Sequence, residues 1–220
     1  LENSYGNYHI KMGARYDSTK ITNDAGLQDN KYSGLNANIL TTYNYNENSK
    51  VFLGIGQAHR VPDGRELYFR SSGAGLPYVG TADLEQTKNR QIDLGYESNL
   101  EAVSYKIKAF YSDLTNYIYF NKTSKRLENI DATIYGAEFD VEYYASDAFT
   151  VDASMAYKKG KKDQALDTQD DKDLADIAPL RGTVGATYEY AKNSSIRAEI
   201  VASKAWNNFD EDNGEQELAG

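Results

Sequence analysis

The sequence contains no cysteine, which excludes a disulfide framework and a thiolate metal site. Proline is scarce, with three residues in 220. No stretch approaches the roughly 18 consecutive apolar residues that a transmembrane helix requires. The formal net charge is −9 and no basic run interrupts the chain. This charge balance argues against nucleic acid as a partner.

Tyrosine, by contrast, is abundant: 19 residues, against seven Phe and one Trp. Its apolar ring and polar hydroxyl suit a boundary between hydrocarbon and water. The mean hydropathy of −0.70 is too polar for a bundle of membrane helices. The strands of a transmembrane β-barrel reconcile these facts, because only every second strand residue faces lipid.

Alternation of apolar and polar residues with a period of two is the main secondary-structure signal. It is clear in residues 8–16, 103–111, 135–143, 149–157 and 184–190, and weaker in 35–45, 51–60, 88–98 and 195–205. No segment has a helical period. The pattern predicts an all-β, antiparallel up-and-down meander of about nine strands.

Aromatic residues stand at both ends of several apolar stripes, with aliphatic residues between them. Tyr135 and Tyr143 bracket one stripe in this way. The spacing fits the apolar band of about 25 Å between two aromatic girdles. We expect Phe139 and Val151 to face lipid and Lys106 to face the lumen. A soluble sandwich or small barrel, with the same stripes as its core, is the alternative.

The predicted connections alternate in length. Short turns fall at 46–50, 99–102, 146–148 and 192–194, and long loops at 19–33, 61–85, 121–129 and 161–181. Short periplasmic turns and longer extracellular loops are typical of outer-membrane barrels.

Five motifs occur in an order that resembles the barrel of TonB-dependent receptors. They are GIGQAHRVPDGRELYF (54–69), TKNRQIDLGYESNL (87–100), KAFYSDLTNYIYF (108–120), LENIDATIYGAEFDVEY (127–143) and ADIAPLRGTVGATYEY (175–190). Within that family the chain looks most like the copper receptors, through YSDLTNYIYFN, KKGKKD and the segment from Trp206 to Gln216. One departure is GTADLEQT (80–87), which lacks the two prolines usual in this loop.

The resemblance implies that residues 1–220 are part of a barrel of about 22 strands, with the plug domain and the closing strands outside this chain. It implies no enzyme and no cofactor, but a receptor in the Gram-negative outer membrane with extracellular loops. Its partners would be the TonB complex, reached through the absent plug, a metal or metal chelate, and outer-membrane lipid and lipopolysaccharide. Copper import is favoured. A siderophore-iron or vitamin receptor, a passive porin-like barrel and a soluble binding domain are the alternatives.

The candidate ligand contacts lie in and beside the longest loop. This region concentrates cations and aromatic rings that suit an anionic chelate through bidentate bonds and stacking; its members are Arg60, Arg65, Tyr68, Arg70 and Tyr78. The alternative is that Arg60 lines the lumen and the tyrosines extend the girdle.

Metal ligands are sparse. The only imidazoles are His9 and His59, and the only thioethers are Met12 and Met155, with no ligand spacing between them. We therefore expect no metal site in this chain. The Asp-rich stretch at 163–176 lacks the order of an EF-hand and is interpreted as a solvated loop.

Overall fold

A computed structural model describes residues 1–24, 26–70, 79–167 and 169–217. Ten strands account for most of these residues: β1 (Glu2–Tyr5), β2 (Tyr8–Ile21), β3 (Asn30–Asn46), β4 (Ser49–Arg60), β5 (Thr87–Asn99), β6 (Val103–Asn121), β7 (Arg126–Ser146), β8 (Phe149–Lys162), β9 (Arg181–Ala191) and β10 (Ser194–Ser203). A five-residue helix, α1 (Gly64–Tyr68), follows β4. No helix in the described ranges is long and apolar enough to cross a membrane.

Each strand pairs antiparallel with the next one along the chain, in the order β1 to β10. No ladder joins β1 to β10 in the described residues, so the sheet is open at both edges. The predicted all-β meander is confirmed. Nine strands were expected and ten are present, because Tyr5 and Tyr8 close a two-residue hairpin through Gly6 and Asn7. Gly6 has φ +56°, which glycine adopts without strain.

The connections form two ends of the sheet. We call the end with the β1–β2, β3–β4, β5–β6, β7–β8 and β9–β10 turns the short-turn end, and the opposite one the long-loop end. The prediction of a long loop at 121–129 is wrong. Strand β6 continues to Asn121 and strand β7 begins at Arg126, so the connection between them is short. Their ladder shifts register between Leu114 and Tyr117 and then resumes, which extends the hairpin beyond the rest of the sheet.

One face of the sheet is apolar and open. Direct cross-strand pairs join Ile39 to Ile55, Ile55 to Ile92 and Ile92 to Tyr111, so these side chains share a face. Ile55 and Ile92 nevertheless remain 47% and 49% exposed. A soluble core would cover such a stripe, whereas a lipid-facing wall leaves it uncovered.

The opposite face carries cross-strand ion pairs. Lys108 Nζ lies 3.1 Å from Asp93 Oδ1, and Lys50 Nζ lies 3.0 Å from Glu97 Oε1. Glycine makes room on this face for a large neighbour: a Cβ on Gly136 would lie 2.8 Å from the ring of Phe110. The two faces therefore follow the polar and apolar alternation that the sequence predicts.

The buried apolar clusters of the described chain lie at the long-loop end. One gathers Leu67 of α1, Leu84, Ile118 and Leu127. The other is formed by loop and hairpin residues: Leu114, Tyr119, Ala132, Leu166, Leu174 and Ile177. The loops at this end are thus packed onto the β6–β7 hairpin.

Candidate functional site

The candidate ligand residues that the structure describes lie in helix α1 or within a few residues of its ends. The helix begins after Asp63, whose side chain accepts from the backbone N–H groups of Arg65 and Glu66, both at 2.8 Å. Glu66 Oε2 accepts in return from the Asp63 N–H at 2.9 Å. This reciprocal capping box stabilises a helix of only five residues.

Arg60, the last residue of β4, holds this helix against the strand. Its two terminal nitrogens donate to the two carboxylate oxygens of Glu66 at 2.9 and 3.0 Å. Paired, planar bonds of this kind fix both orientation and position. Arg60 therefore has a structural partner in this structure and is half exposed, at 48%.

Tyr68 connects α1 to the β2–β3 loop. Its hydroxyl donates to the Gln28 carbonyl at 2.8 Å and accepts from Asn30 Nδ2 at 2.9 Å. Asn30 Nδ2 also donates to the carbonyl of Ala82. The phenol thus ties together two connections that the sequence treats as separate loops.

Arg65 and Arg70 are exposed. The Arg65 guanidinium lies over the Phe69 ring at 5.1 Å from its centroid, and the backbone of Arg70 forms a bridge with Val79. Four of the five predicted contacts therefore lie in or beside α1 at the long-loop end. Tyr78, the fifth, falls outside the described residues.

A buried charged cluster at the same end was not predicted. Lys162 Nζ donates to Asp210 Oδ2 at 2.6 Å, and both side chains are fully buried. Tyr119 Oη donates to the same oxygen at 2.5 Å and accepts from the Ala175 N–H at 2.9 Å. Trp206 Nε1 donates to the Ile177 carbonyl at 2.7 Å. Residues 204–217, which we call the C-terminal strap, are docked by these bonds.

The acidic loop that precedes β9 is also tied to the strap. Asp212 Oδ2 accepts from the N–H groups of Asp170 and Asp171 at 2.9 and 2.8 Å. These bonds hold the pKa of Asp212 below its ordinary value. The expectation of a solvated loop is therefore wrong in part. Leu166 and Leu174 within the acidic stretch, and Ile177 directly after it, are the apolar residues that signalled packing.

A small polar cavity of about 220 Å³ lies where the β3–β4 ladder ends at Ala37 and Gln57. Asn36 Nδ2 donates to Asp17 Oδ2 at 2.5 Å, so its Oδ1 faces His59 and accepts from the ring Nδ1 at 3.2 Å. A neutral His59 ring then carries its proton on Nδ1 and leaves Nε2 as an acceptor.

Metal ligation has little support in this arrangement. Throughout the described ranges, no three His, Asp or Glu side chains converge as they would around a metal ion. His9 and His59 lie on different strands, β2 and β4, and do not form a pair.

Comparison with known proteins identifies relatives over almost the whole chain. A family described as "TonB dependent receptor-like, beta-barrel" matches residues 1–216. No match was found among curated protein sequences.

Several solved structures share the fold. The "Copper transporter OprC" superposes with a TM-score of 0.81 at 22% identity, covering 95% of this chain and 33% of that one. The FrpB iron transporter from Neisseria meningitidis gives 0.67 at 14% identity, covering 90% and 31%. The ferric-catecholate import receptor Fiu from E. coli K12 gives 0.63 at 17% identity, covering 89% and 32%. The chain spans about a third of the length of each of these proteins.

Proposed function

The chain belongs to the TonB-dependent receptor β-barrel family, and from this premise we propose that it forms part of the barrel wall of an outer-membrane receptor that imports a metal or metal chelate, with copper favoured. The family and the structures similar to this chain are transport receptors rather than enzymes. Barrels of this family lie in the outer membrane of Gram-negative bacteria.

The likeness to the copper transporter carries the choice of copper. Its TM-score of 0.81 exceeds the 0.67 and 0.63 of the two iron receptors. Siderophore iron is the second candidate, because the structures of receptors for iron and its chelates are similar to this chain with lower TM-scores. A vitamin receptor and a passive barrel have no such observation in their favour.

Energy and cargo release require parts beyond the described strands. We propose that residues 1–220 are a partial barrel domain, that a plug completes the lumen, and that the TonB complex acts through that plug. The long-loop end is proposed to be extracellular, and lipopolysaccharide and lipid to surround the apolar face.

The cargo contacts are proposed at Arg60, Arg65, Tyr68, Arg70 and Tyr78. Among the described four, Arg65 and Arg70 have the greater freedom, since Arg60 is paired to Glu66 and Tyr68 to Asn30. An anionic chelate would meet the two exposed guanidinium groups first. Arg60 and Tyr68 would act chiefly by holding α1 in place.

Uptake of copper by cells that carry the full-length receptor tests the proposal. We expect TonB-dependent accumulation of copper, and no accumulation of a ferric siderophore. The double variant Arg65→Ala and Arg70→Ala should reduce the uptake rate at low cargo concentration by about 30-fold, since each lost hydrogen bond is worth roughly 1 kcal/mol.

The matched control is Lys122→Ala with Lys125→Ala, which removes two cations from the neighbouring β6–β7 turn. Uptake that persists without TonB would contradict an active receptor. Import of iron chelates in place of copper would identify siderophore iron, the second candidate, as the cargo. Equal losses of uptake rate in the two double variants would mean that Arg65 and Arg70 do not contact the cargo.

A further inference from the structure

The C-terminal strap contains the single Asn-Gly pair of the sequence, Asn213–Gly214. This dipeptide lies in a tight turn, in which the Gly214 N–H donates to the Glu211 carbonyl at 2.8 Å. Gly214 has φ +80°, a conformation that residues with a side chain rarely adopt. The turn therefore favours glycine at position 214, whatever residue precedes it.

The Asn213 side chain uses all of its hydrogen-bonding capacity. An amide has two N–H donors and an oxygen that accepts twice. Asn213 Nδ2 donates to the Phe120 carbonyl at 2.9 Å and to Asp210 Oδ2 at 3.0 Å. Asn213 Oδ1 accepts from the Lys122 N–H at 2.8 Å and from Gln169 Nε2 at 3.4 Å. This side chain thus joins the strap to the end of β6 and to the acidic loop.

The contacts of Asn213 favour an amide over a carboxylate. A carboxylate of the same size accepts hydrogen bonds but donates none, so the Phe120 carbonyl would lose its side-chain donor. Asp210 Oδ2 would face a second carboxylate where it now accepts a hydrogen bond of 3.0 Å, and two carboxylates this close repel each other. Conversion of Asn213 to aspartate would therefore oppose docking of the strap.

An Asn-Gly pair undergoes this conversion without an enzyme. The Gly214 backbone nitrogen attacks Asn213 Cγ, and its proton passes through solvent to Nδ2. The new N–C bond closes a succinimide ring while the Cγ–Nδ2 bond breaks and ammonia leaves. Water then opens the ring at either carbonyl, which gives aspartate or its β-linked isomer. Glycine makes the attack easy because it has no side chain to hinder the approach.

The docked strap opposes each step of this reaction. The Glu211 carbonyl accepts from the Gly214 N–H, which disfavours deprotonation of the attacking nitrogen. Rotation of the asparagine amide toward Gly214 would break its four side-chain hydrogen bonds. The strap is also anchored by the fully buried pair of Lys162 and Asp210. Attack on the amide consequently requires local opening of the strap.

We propose that Asn213 is a site of spontaneous deamidation that docking of the strap suppresses, and that the reaction releases the strap permanently. The bonds that hold the strap in place thereby control the rate of its chemical modification. Release uncovers Lys162 and Asp210 at the long-loop end. This inference does not depend on the identity of the cargo.

Mass spectrometry of strap peptides from the full-length wild-type receptor measures the reaction. Samples are incubated at neutral pH, either folded in detergent or unfolded in denaturant, and the replacement of NH₂ by OH at position 213 is followed over time. We expect the folded receptor to react at least about 100-fold more slowly, because only the opened fraction of the strap reacts. Equal rates in the two states would overturn the proposal, and this comparison needs no variant.

The variant Asn213→Asp contains a product of the reaction from the start. In the full-length receptor we expect the amides of residues 204–217 to exchange with solvent at least about tenfold faster than in the wild type. The control Asn207→Asp adds the same charge at an exposed position of the strap and should stay within about twofold of the wild type. Unchanged exchange in Asn213→Asp, or equal acceleration in both variants, would show that the modification does not release the strap.

Discussion

Lys162 and Asp210 are the two residues whose substitution should most affect the C-terminal strap. Lys162→Met leaves the Asp210 carboxylate buried without its cation, which typically costs about 3–5 kcal/mol. We expect the amides of 204–217 to exchange with solvent much faster in the full-length variant, as measured by hydrogen–deuterium exchange.

The double variant Lys162→Met with Asp210→Leu should recover much of the lost protection, because it replaces the ion pair by apolar groups. Lys158→Met, on the exposed part of the same strand, is the matched single control. Unchanged exchange in Lys162→Met would mean that the ion pair does not hold the strap.

Tyr119 gives the strap a dependence on alkaline pH. Burial, and then its hydrogen bond to Asp210, raise the pKa of this phenol well above its ordinary value of 10.0. The folded state therefore retains the proton more strongly than the unfolded state. The stabilisation is complete below pH 10.0 and is lost as the pH rises toward the raised value.

We expect proteolysis of the strap in the wild type to increase as the pH rises above 10.0 toward the raised pKa of Tyr119. Tyr119→Phe has no phenolic proton to lose and should show no such step. A step of equal size in Tyr119→Phe would assign the alkaline transition to another group.

Single residues also show what the sequence could not predict. The alternation placed Ile55 and Ile92 on one face because a strand repeats every two residues. The partners Lys162 and Asp210 are separated by 48 positions, and no local period connects them. Arg60 was predicted as a ligand contact from its residue type, but its bidentate bond to Glu66 depends on a helix that the periodicity did not reveal.

The β6–β7 hairpin depends on a glycine at its centre. A Cβ on Gly136 would meet both the Phe110 ring at 2.8 Å and the backbone of β8. Gly136→Ala should therefore destabilise the folded barrel by about 1–3 kcal/mol, measured as earlier unfolding in heat-dependent gel mobility of the full-length receptor.

Gly182→Ala is the matched control, since a Cβ there meets only the Ser154 carbonyl oxygen at 3.4 Å. Equal melting of the two variants would show that Phe110 and the strand move aside without cost.

Helix α1 shows the limit of periodicity at the scale of elements. Five residues are too few for an apolar period, and the helix was missed for that reason. The capping box, Asp63 followed three residues later by Glu66, was the available signal. The β1–β2 hairpin was missed although Gly6–Asn7 between two tyrosines is a hairpin sequence.

At the scale of the whole molecule, the described residues leave the apolar face and both sheet edges uncovered. Ile107 and Met155 are 47% and 49% exposed, and β1 and β10 each have one neighbour among the described strands. We expect the 220-residue chain, expressed alone, to aggregate or to require detergent, because unpaired edges and large apolar patches promote association.

Size-exclusion chromatography with and without detergent measures this, and copper titration accompanies it. We expect no tight copper binding, since the described residues lack a cluster of ligands. A compact monomer without detergent would favour the soluble-domain alternative, and tight copper binding would place the cargo site within this chain.

The strict neighbour order also determines how such a wall would respond to mechanical force. Each described strand forms ladders only with those adjacent in sequence. Once the strap has been released from β6 and β8, a pull on residue 217 therefore strains the β9–β10 ladder first. Extraction would remove one hairpin at a time. After each rupture the remaining strands would keep the ladders that they had before. The docked strap precedes the first hairpin on this route, and the bonds of Glu215, Asn213 and Asp212 would break before its buried ion pair.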